Sequence, residues 1–150
     1  QVFEEALNLA QKLDTALMLV HVLSPMDEGY PMPVFPGPDS VYPANDQAIR
    51  LYAQQWQEFE RLGTAMLREM SDRATAAKII CEFNQSVGDP GRVICTIAKD
   101  WGADLIVMGR RGRTGLSEMI LGSASNYVLH HAPCSVLALQ GIILGASEAS

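Results

Sequence analysis

The sequence predicts an α/β domain of the doubly wound kind with a mostly parallel sheet. Three observations carry that expectation. Apolar runs of five to eight residues alternate along the chain with stretches of helical periodicity. Those runs are almost unbroken in apolar character, as strands covered on both faces are. And 150 residues, of which 48 % are hydrophobic and 19 % charged, suit one domain over 1–150 with a single core.

The chain opens in helical register: Phe3, Ala6, Leu7, Ala10 and Leu13 recur at three and four, with Glu4, Glu5, Asn8, Gln11 and Lys12 on the other face. Residues 16–23 (ALMLVHVL) then read as a central strand. Six of the eight prolines fall within 24–43, together with Gly29 and Gly37, so 24–45 is expected to be a long loop of the lid or binding type. A helix follows over 46–72, with Ile49, Tyr52, Trp56, Phe59, Met66 and Met70 on one stripe. Core packing is the plain reading of that stripe and a partner-binding face the alternative. Residues 78–84 are the next strand. Gly88, Asp89, Pro90 and Gly91 then supply a turn, an N-cap and a first-turn proline for a helix that buries Val93, Ile94, Ile97, Ala98 and Trp101 and closes at Gly102. Strands over 104–108 and 135–139 bracket a glycine-rich basic loop and a helix from Ser123 to His131, which Pro133 terminates.

Composition excludes several classes of function. Seventeen acids against 11 bases leave a net charge of −6, against a broad grip on nucleic acid or an anionic membrane. No apolar run approaches the roughly 20 residues that span a bilayer, and no signal-peptide pattern opens the chain, so the expected location is cytoplasmic. Cys81, Cys95 and Cys134 include no CxxC pair and read as small buried hydrophobes. His21, His130 and His131 lack metal-site spacing.

In an open parallel sheet, ligands sit beyond the carboxyl ends of the strands. The loop after Met108 runs Gly109, Arg110, Arg111, Gly112, Arg113, Thr114, Gly115, and the helix near Ser123 offers free backbone N–H groups and the positive end of its dipole. Glycines at 109, 112 and 122 let the backbone approach an anion, and Ser123 and Ser125 add hydroxyls. Simple turns and a solvated basic tip are the bland alternatives. The pattern is neither a Walker A loop, since the only lysines are Lys12, Lys78 and Lys99, nor GxGxxG. No nucleophile elbow or catalytic carboxylate pair appears, which favours binding over catalysis.

The spacing Gly109-x2-Gly112-x9-Gly122-Ser123 matches the G-2x-G-9x-G-[ST] signature of ATP-binding universal stress proteins, and the chain resembles that family over residues 1 to about 140. LVHV (19–22), GDPGR (88–92), GADLIVMG (102–109) and GSASNYVLHHAPCSV (122–136) also look like family blocks. The resemblance implies a flavodoxin- or Rossmann-like sheet of five strands in the order 3-2-1-4-5. It implies a homodimer that works as a nucleotide-dependent regulator in stress adaptation, and ATP as ligand with Mg²⁺ alongside; the last strand, Ser135 to Leu139, is an edge with unpaired backbone groups and is the expected dimer interface. Carried over by position, Val22 flanks the adenine and Met108 and Gly109 border the nucleotide. Gly112, Gly122, Ser123, Ala124 and Ser125 hold ribose and phosphates. Alternatives are a slow ATP hydrolase or phosphotransferase, and a dimeric interaction module that binds no nucleotide.

One departure concerns the ends. Family members open with a strand and an acidic residue ahead of the helix that begins here at Gln1. That first strand is expected to be either missing from the given chain or replaced by the tail 141–150, in which Ile142, Ile143 and Leu144 form a short apolar run. In the latter case Gly145 stands where the acidic residue is expected. A parallel crossover from Leu139 to Ile142 is too short to form, so the tail pairs antiparallel or enters a partner chain.

Overall fold

The computed structural model describes residues 1–25, 27–33, 46–110 and 121–140. Its elements run α1 (Val2–Leu13), β1 (Leu17–Leu23), α2 (Asp46–Ala76), β2 (Cys81–Val87), α3 (Pro90–Trp101), β3 (Leu105–Gly109), α4 (Ser123–His131) and β4 (Ser135–Leu139). The alternation of helix and strand is as the hydrophobic pattern predicts.

The strands form two parallel pairs. β1 pairs with β2 from Leu17 opposite Cys81 to Leu23 opposite Val87. β3 pairs with β4 from Leu105 opposite Ser135 to Gly109 opposite Leu139. The run 16–23 therefore lies in a strand paired on one side among the described residues rather than in the middle of a continuous sheet. The segment expected as a strand over 78–84 is displaced to Cys81–Val87. Lys78 takes a left-handed conformation with φ 63°, and the turn closes through Lys78 N–H to Thr75 C=O at 2.9 Å and Ile79 N–H to Ala74 C=O at 3.0 Å. That turn uses up three residues that periodicity alone assigns to the strand, and α2 runs on to Ala76 rather than 72.

Local chemistry explains the other boundaries. Asp89 caps α3 by accepting the Arg92 N–H at 3.0 Å, Pro90 occupies the first turn, and Gly102 ends the helix at φ 74°. α1 ends on left-handed Asp14. Its buried Ala6 and Ala10 are small enough to bring the helix close, and Ala10 packs with Ala74 and Ile79, bordered by Phe3, Leu7, Leu17 and Cys81. The second cluster joins Ala98, Ile106 and Val128, bordered by Ile94, Met108 and Val136 among others. The cysteines stand half-buried at the margins of these clusters rather than fully inside. Burial still pushes all three thiols above their ordinary pKa.

The helices bridge the two strand pairs: α1 packs against β3 as well as β1, and α3 packs against β1. Arg73 of α2 pairs with Glu4 of α1 and lies over the Phe3 ring, 4.9 Å from its centroid. α3 packs on α4 so closely that a Cβ added at Gly91 would fall 2.8 Å from Cβ of Tyr127. Gly91 thus lies inside the helix as a close-packing position, beyond the turn role its neighbours suggest. Among the described residues no helix is long and apolar enough to cross a membrane.

Candidate functional site

The carboxyl ends of β3 and β4 and the start of α4 are tied into one unit. Arg110 N–H donates to Leu139 C=O at 2.8 Å, and Gly122 N–H donates to Arg110 C=O at 3.1 Å. The Ser125 hydroxyl, buried to 2 % exposure, donates to Gly109 C=O at 2.8 Å. These bonds aim the first turn of α4 at the end of β3. The helix begins on Gly122 with no side-chain cap, and its first intrahelical bond is Asn126 N–H to Gly122 C=O at 2.9 Å. The N–H groups of Ser123, Ala124 and Ser125 therefore have no intrahelical acceptor and lie at the positive end of the helix dipole. Such a terminus accepts a phosphate oxygen without further arrangement.

Of the site residues expected from sequence, Met108, Gly109, Gly122, Ser123, Ala124 and Ser125 are brought together here. Ser125 differs from expectation in one respect: its hydroxyl is committed to the Gly109 carbonyl. Val22 stands across from this unit at the end of β1, paired with Ser86. Gly112, Arg111 and Arg113 lie outside the described residues. Arg110 keeps its guanidinium at the same edge, 3.3 Å from Oε1 of Gln140.

Two features escape sequence reasoning. The first is a polar knot beneath the β1 end. His21 Nδ1 lies 3.0 Å from Oε1 of Gln85, whose Nε2 donates to Glu60 C=O at 2.9 Å and to the Thr64 hydroxyl at 3.3 Å. Gly63 makes room for it, since a Cβ there would fall 2.1 Å from the Gln85 oxygen. The second is a groove of about 770 Å³ between the turn after β1 and α2, lined by Leu23, Tyr30, Met32, Leu51, Phe59 and Met66 among others. Tyr30 meets Trp56 and Phe59 edge-on at 5.0 and 5.8 Å between centroids, so the helix stripe packs on the described part of the loop 24–45, residues 24–25 and 27–33. The sequence signals for it are the proline-rich segment 24–45 and the stripe that carries Phe59 and Met66.

Paired parallel strands under two helical layers, with a glycine-capped helix start at their carboxyl edge, define a Rossmann-like α/β domain. A model of the universal stress protein family matches residues 1–140. Universal stress protein Sll1388 of Synechocystis is 36 % identical over 145 residues, covering 93 % of this chain and 88 % of the relative. Universal stress protein Slr1101 of the same organism is 47 % identical over 100 residues, covering 65 % of this chain and 93 % of the relative. The chain belongs to the universal stress protein family. Among solved structures, UspA from Lactobacillus plantarum superposes with a TM-score of 0.68 at 24 % identity, covering 92 % and 86 % of the two chains. A universal stress protein in complex with cAMP superposes at 0.55 and 22 % identity, covering 93 % and 84 %. An Arabidopsis thaliana family protein with AMP bound superposes at 0.55 and 21 % identity, covering 93 % and 75 %.

Proposed function

We propose that this domain binds an adenine nucleotide, ATP accompanied by Mg²⁺, at the carboxyl edge of β3 and the start of α4, and that it acts as a nucleotide-dependent dimeric regulator in stress response. The observation that carries the reading is the start of α4, where the cap residue Gly122 has no side chain and the N–H groups of Ser123, Ala124 and Ser125 have no intrahelical acceptor. Two solved relatives, one in complex with cAMP and one with AMP bound, favour an adenine nucleotide as the anion.

In this reading Gly122 and the first turn of α4 hold phosphate, and Gly109 and Gly112 allow the backbone to lie against ribose and phosphates. Met108 and Val22 border the base from the two strand ends. The described residues hold no group of three or more His, Cys, Asp or Glu side chains placed around a metal ion, so a divalent cation would enter chiefly on the phosphate oxygens. The reading is that of a binding domain over the whole chain, working in the cytoplasm. Nucleotide extracted from purified protein, identified by chromatography and followed by calorimetric titration, tests it. ATP recovered, or bound with micromolar affinity, is expected. Protein that is empty and gives no heat with ATP, AMP or cAMP would leave the nucleotide-free interaction module.

The dimer is assigned to β4, whose outer edge is unpaired among the described residues and whose Leu137 is 37 % exposed. Light scattering at micromolar concentration is expected to give a dimer mass and Leu137→Arg a monomer. A monomer mass for the unaltered chain rejects this interface.

A further inference from the structure

Among the described residues Arg110 directly follows β3 and Gln140 directly follows β4; residues 111–120 and the tail 141–150, with its expected replacement strand, lie outside them. The register places this pair on a definite face. Ile106 lies opposite Val136 and Met108 opposite Ala138, and Ile106, Met108 and Val136 pack with Ala98 of α3 and Val128 of α4. Alternate residues along a strand share a face. The bond from Arg110 N–H to Leu139 C=O, 2.8 Å, carries the pairing one residue beyond β3, so Arg110 and Gln140 come next in that series. Their side chains meet there, Nη1 of Arg110 donating to Oε1 of Gln140 at 3.3 Å. The guanidinium therefore stands on the α3 and α4 side of the sheet edge, and the carbonyl of the same residue accepts the N–H of Gly122, the cap of α4.

Gln140 is a neutral amide, so it holds the guanidinium without neutralising it. Among the described residues the arginine–carboxylate pairs are Arg61 with Glu58 and Arg73 with Glu4, and Arg110 belongs to neither. The bond to Gln140 is long for a charge-assisted one and occupies a single N–H of a fork that can take two phosphate oxygens at once. Magnitudes then divide the work between this arginine and the helix. A helix start presents roughly half a positive charge, and here the Ser125 hydroxyl is already taken by Gly109. A single phosphate group saturates such a terminus. A tail of two or three phosphates carries more negative charge than the terminus offsets, and the cation beside it is Arg110. Given a nucleotide at this edge, the reading proposed above, we infer that Arg110 selects for a β- or γ-phosphate. Its fork pairs with the terminal phosphate of ADP or ATP, whereas AMP and cAMP are held by the helix start without it.

Calorimetric titration of the 150-residue chain with ATP, ADP, AMP, cAMP and inorganic tripolyphosphate tests the assignment. The parent is expected to bind ATP at least about tenfold more tightly than AMP. Arg110→Gln should lose about 10- to 100-fold for ATP and tripolyphosphate, the effect of one paired charged contact, with AMP and cAMP changed by less than about threefold. Arg110→Lys keeps the charge but not the fork and should fall between. Gln140→Glu leaves the arginine and its backbone bonds in place but gives it a carboxylate, so ATP should lose more affinity than AMP. That variant decides the question even if Arg110→Gln does not fold. The gap between parent and Arg110→Gln should narrow as salt is raised. Unchanged ATP affinity in Arg110→Gln and Gln140→Glu, or equal losses for ATP and AMP, overturns the inference. Failure of the nucleotide reading itself gives a different result. A parent that binds tripolyphosphate through Arg110 but no nucleotide removes the adenine and keeps the arginine, whereas a parent that binds none of these probes removes both.

Discussion

The half built from α1, β1, α2 and β2 and the half built from α3, β3, α4 and β4 have the same content, a parallel strand pair with two helices, yet they close in different ways. In the first, α2 is 31 residues long and its amino-terminal part stands clear of the strands, with Ile49, Leu51 and Leu62 more than half exposed. At Gly63 it faces the end of the flexible Gln85 side chain. In the second, the helices are 12 and 9 residues long and touch at Gly91 against Cβ and the ring of Tyr127. The lesson concerns where a binding site can be held rigid. A free helix terminus is useful only if its direction is set, and the second half sets it with Ser125 to Gly109 and Gly122 to Arg110.

The contrast breaks most sharply at the terminus itself. Gly122→Val is expected to lower nucleotide affinity by at least about 100-fold, roughly 2.7 kcal/mol, by placing a branched side chain where phosphate approaches. Ser123→Ala should lose only about tenfold, one hydroxyl contact. Calorimetric titration separates them, and equal affinity in both variants and the parent would remove the α4 terminus from the site.

The next test compares the two glycines. Gly91→Ala forces a methyl group against backbone-proximal atoms of Tyr127 and should cost about 1–3 kcal/mol in denaturant unfolding. Gly63→Ala meets an amide that can swing aside, so its cost should stay below about 1.5 kcal/mol and shrink further when combined with Gln85→Ala. Equal costs would mean that the two helix pairs are equally tight.

Asp89→Ala removes the α3 cap, with an expected loss of about 1 kcal/mol, while Asp89→Ser should retain most of it. Local hydrogen exchange at Gly91 and Arg92 reports the change. The smallest effect concerns the thiols. Burial raises the pKa of Cys95 and Cys134 in the folded chain, so over the alkaline range the native state holds protons that the unfolded state has released. Stability should therefore fall as pH rises through the ordinary thiol range, and alkylation of these two cysteines in native protein should lag behind that of unfolded chain at the same pH. Alkylation at the unfolded rate would contradict their burial.

By itself the sequence determined whatever depends on neighbours along the chain. Asp89, Pro90 and Gly102 bound α3 because capping and left-handed closure involve only a few consecutive residues. The unbroken runs LVHV and LIVM are strands because an extended chain covered on both faces tolerates little else. The spacing of Gly109, Gly112 and Gly122 pointed to the carboxyl edge because glycine permits close approach wherever it stands. Tertiary structure alone decided which groups remain available once the elements pack. Periodicity could not place the left-handed turn at Lys78 that moves β2 three residues onward. Nor could it show that Gly63 and Gly91 exist to admit Gln85 and Tyr127, since those partners are more than twenty residues away in sequence. The Ser125 hydroxyl, read as a ligand group, is instead held by Gly109, because a buried donor beside a strand end takes the nearest carbonyl.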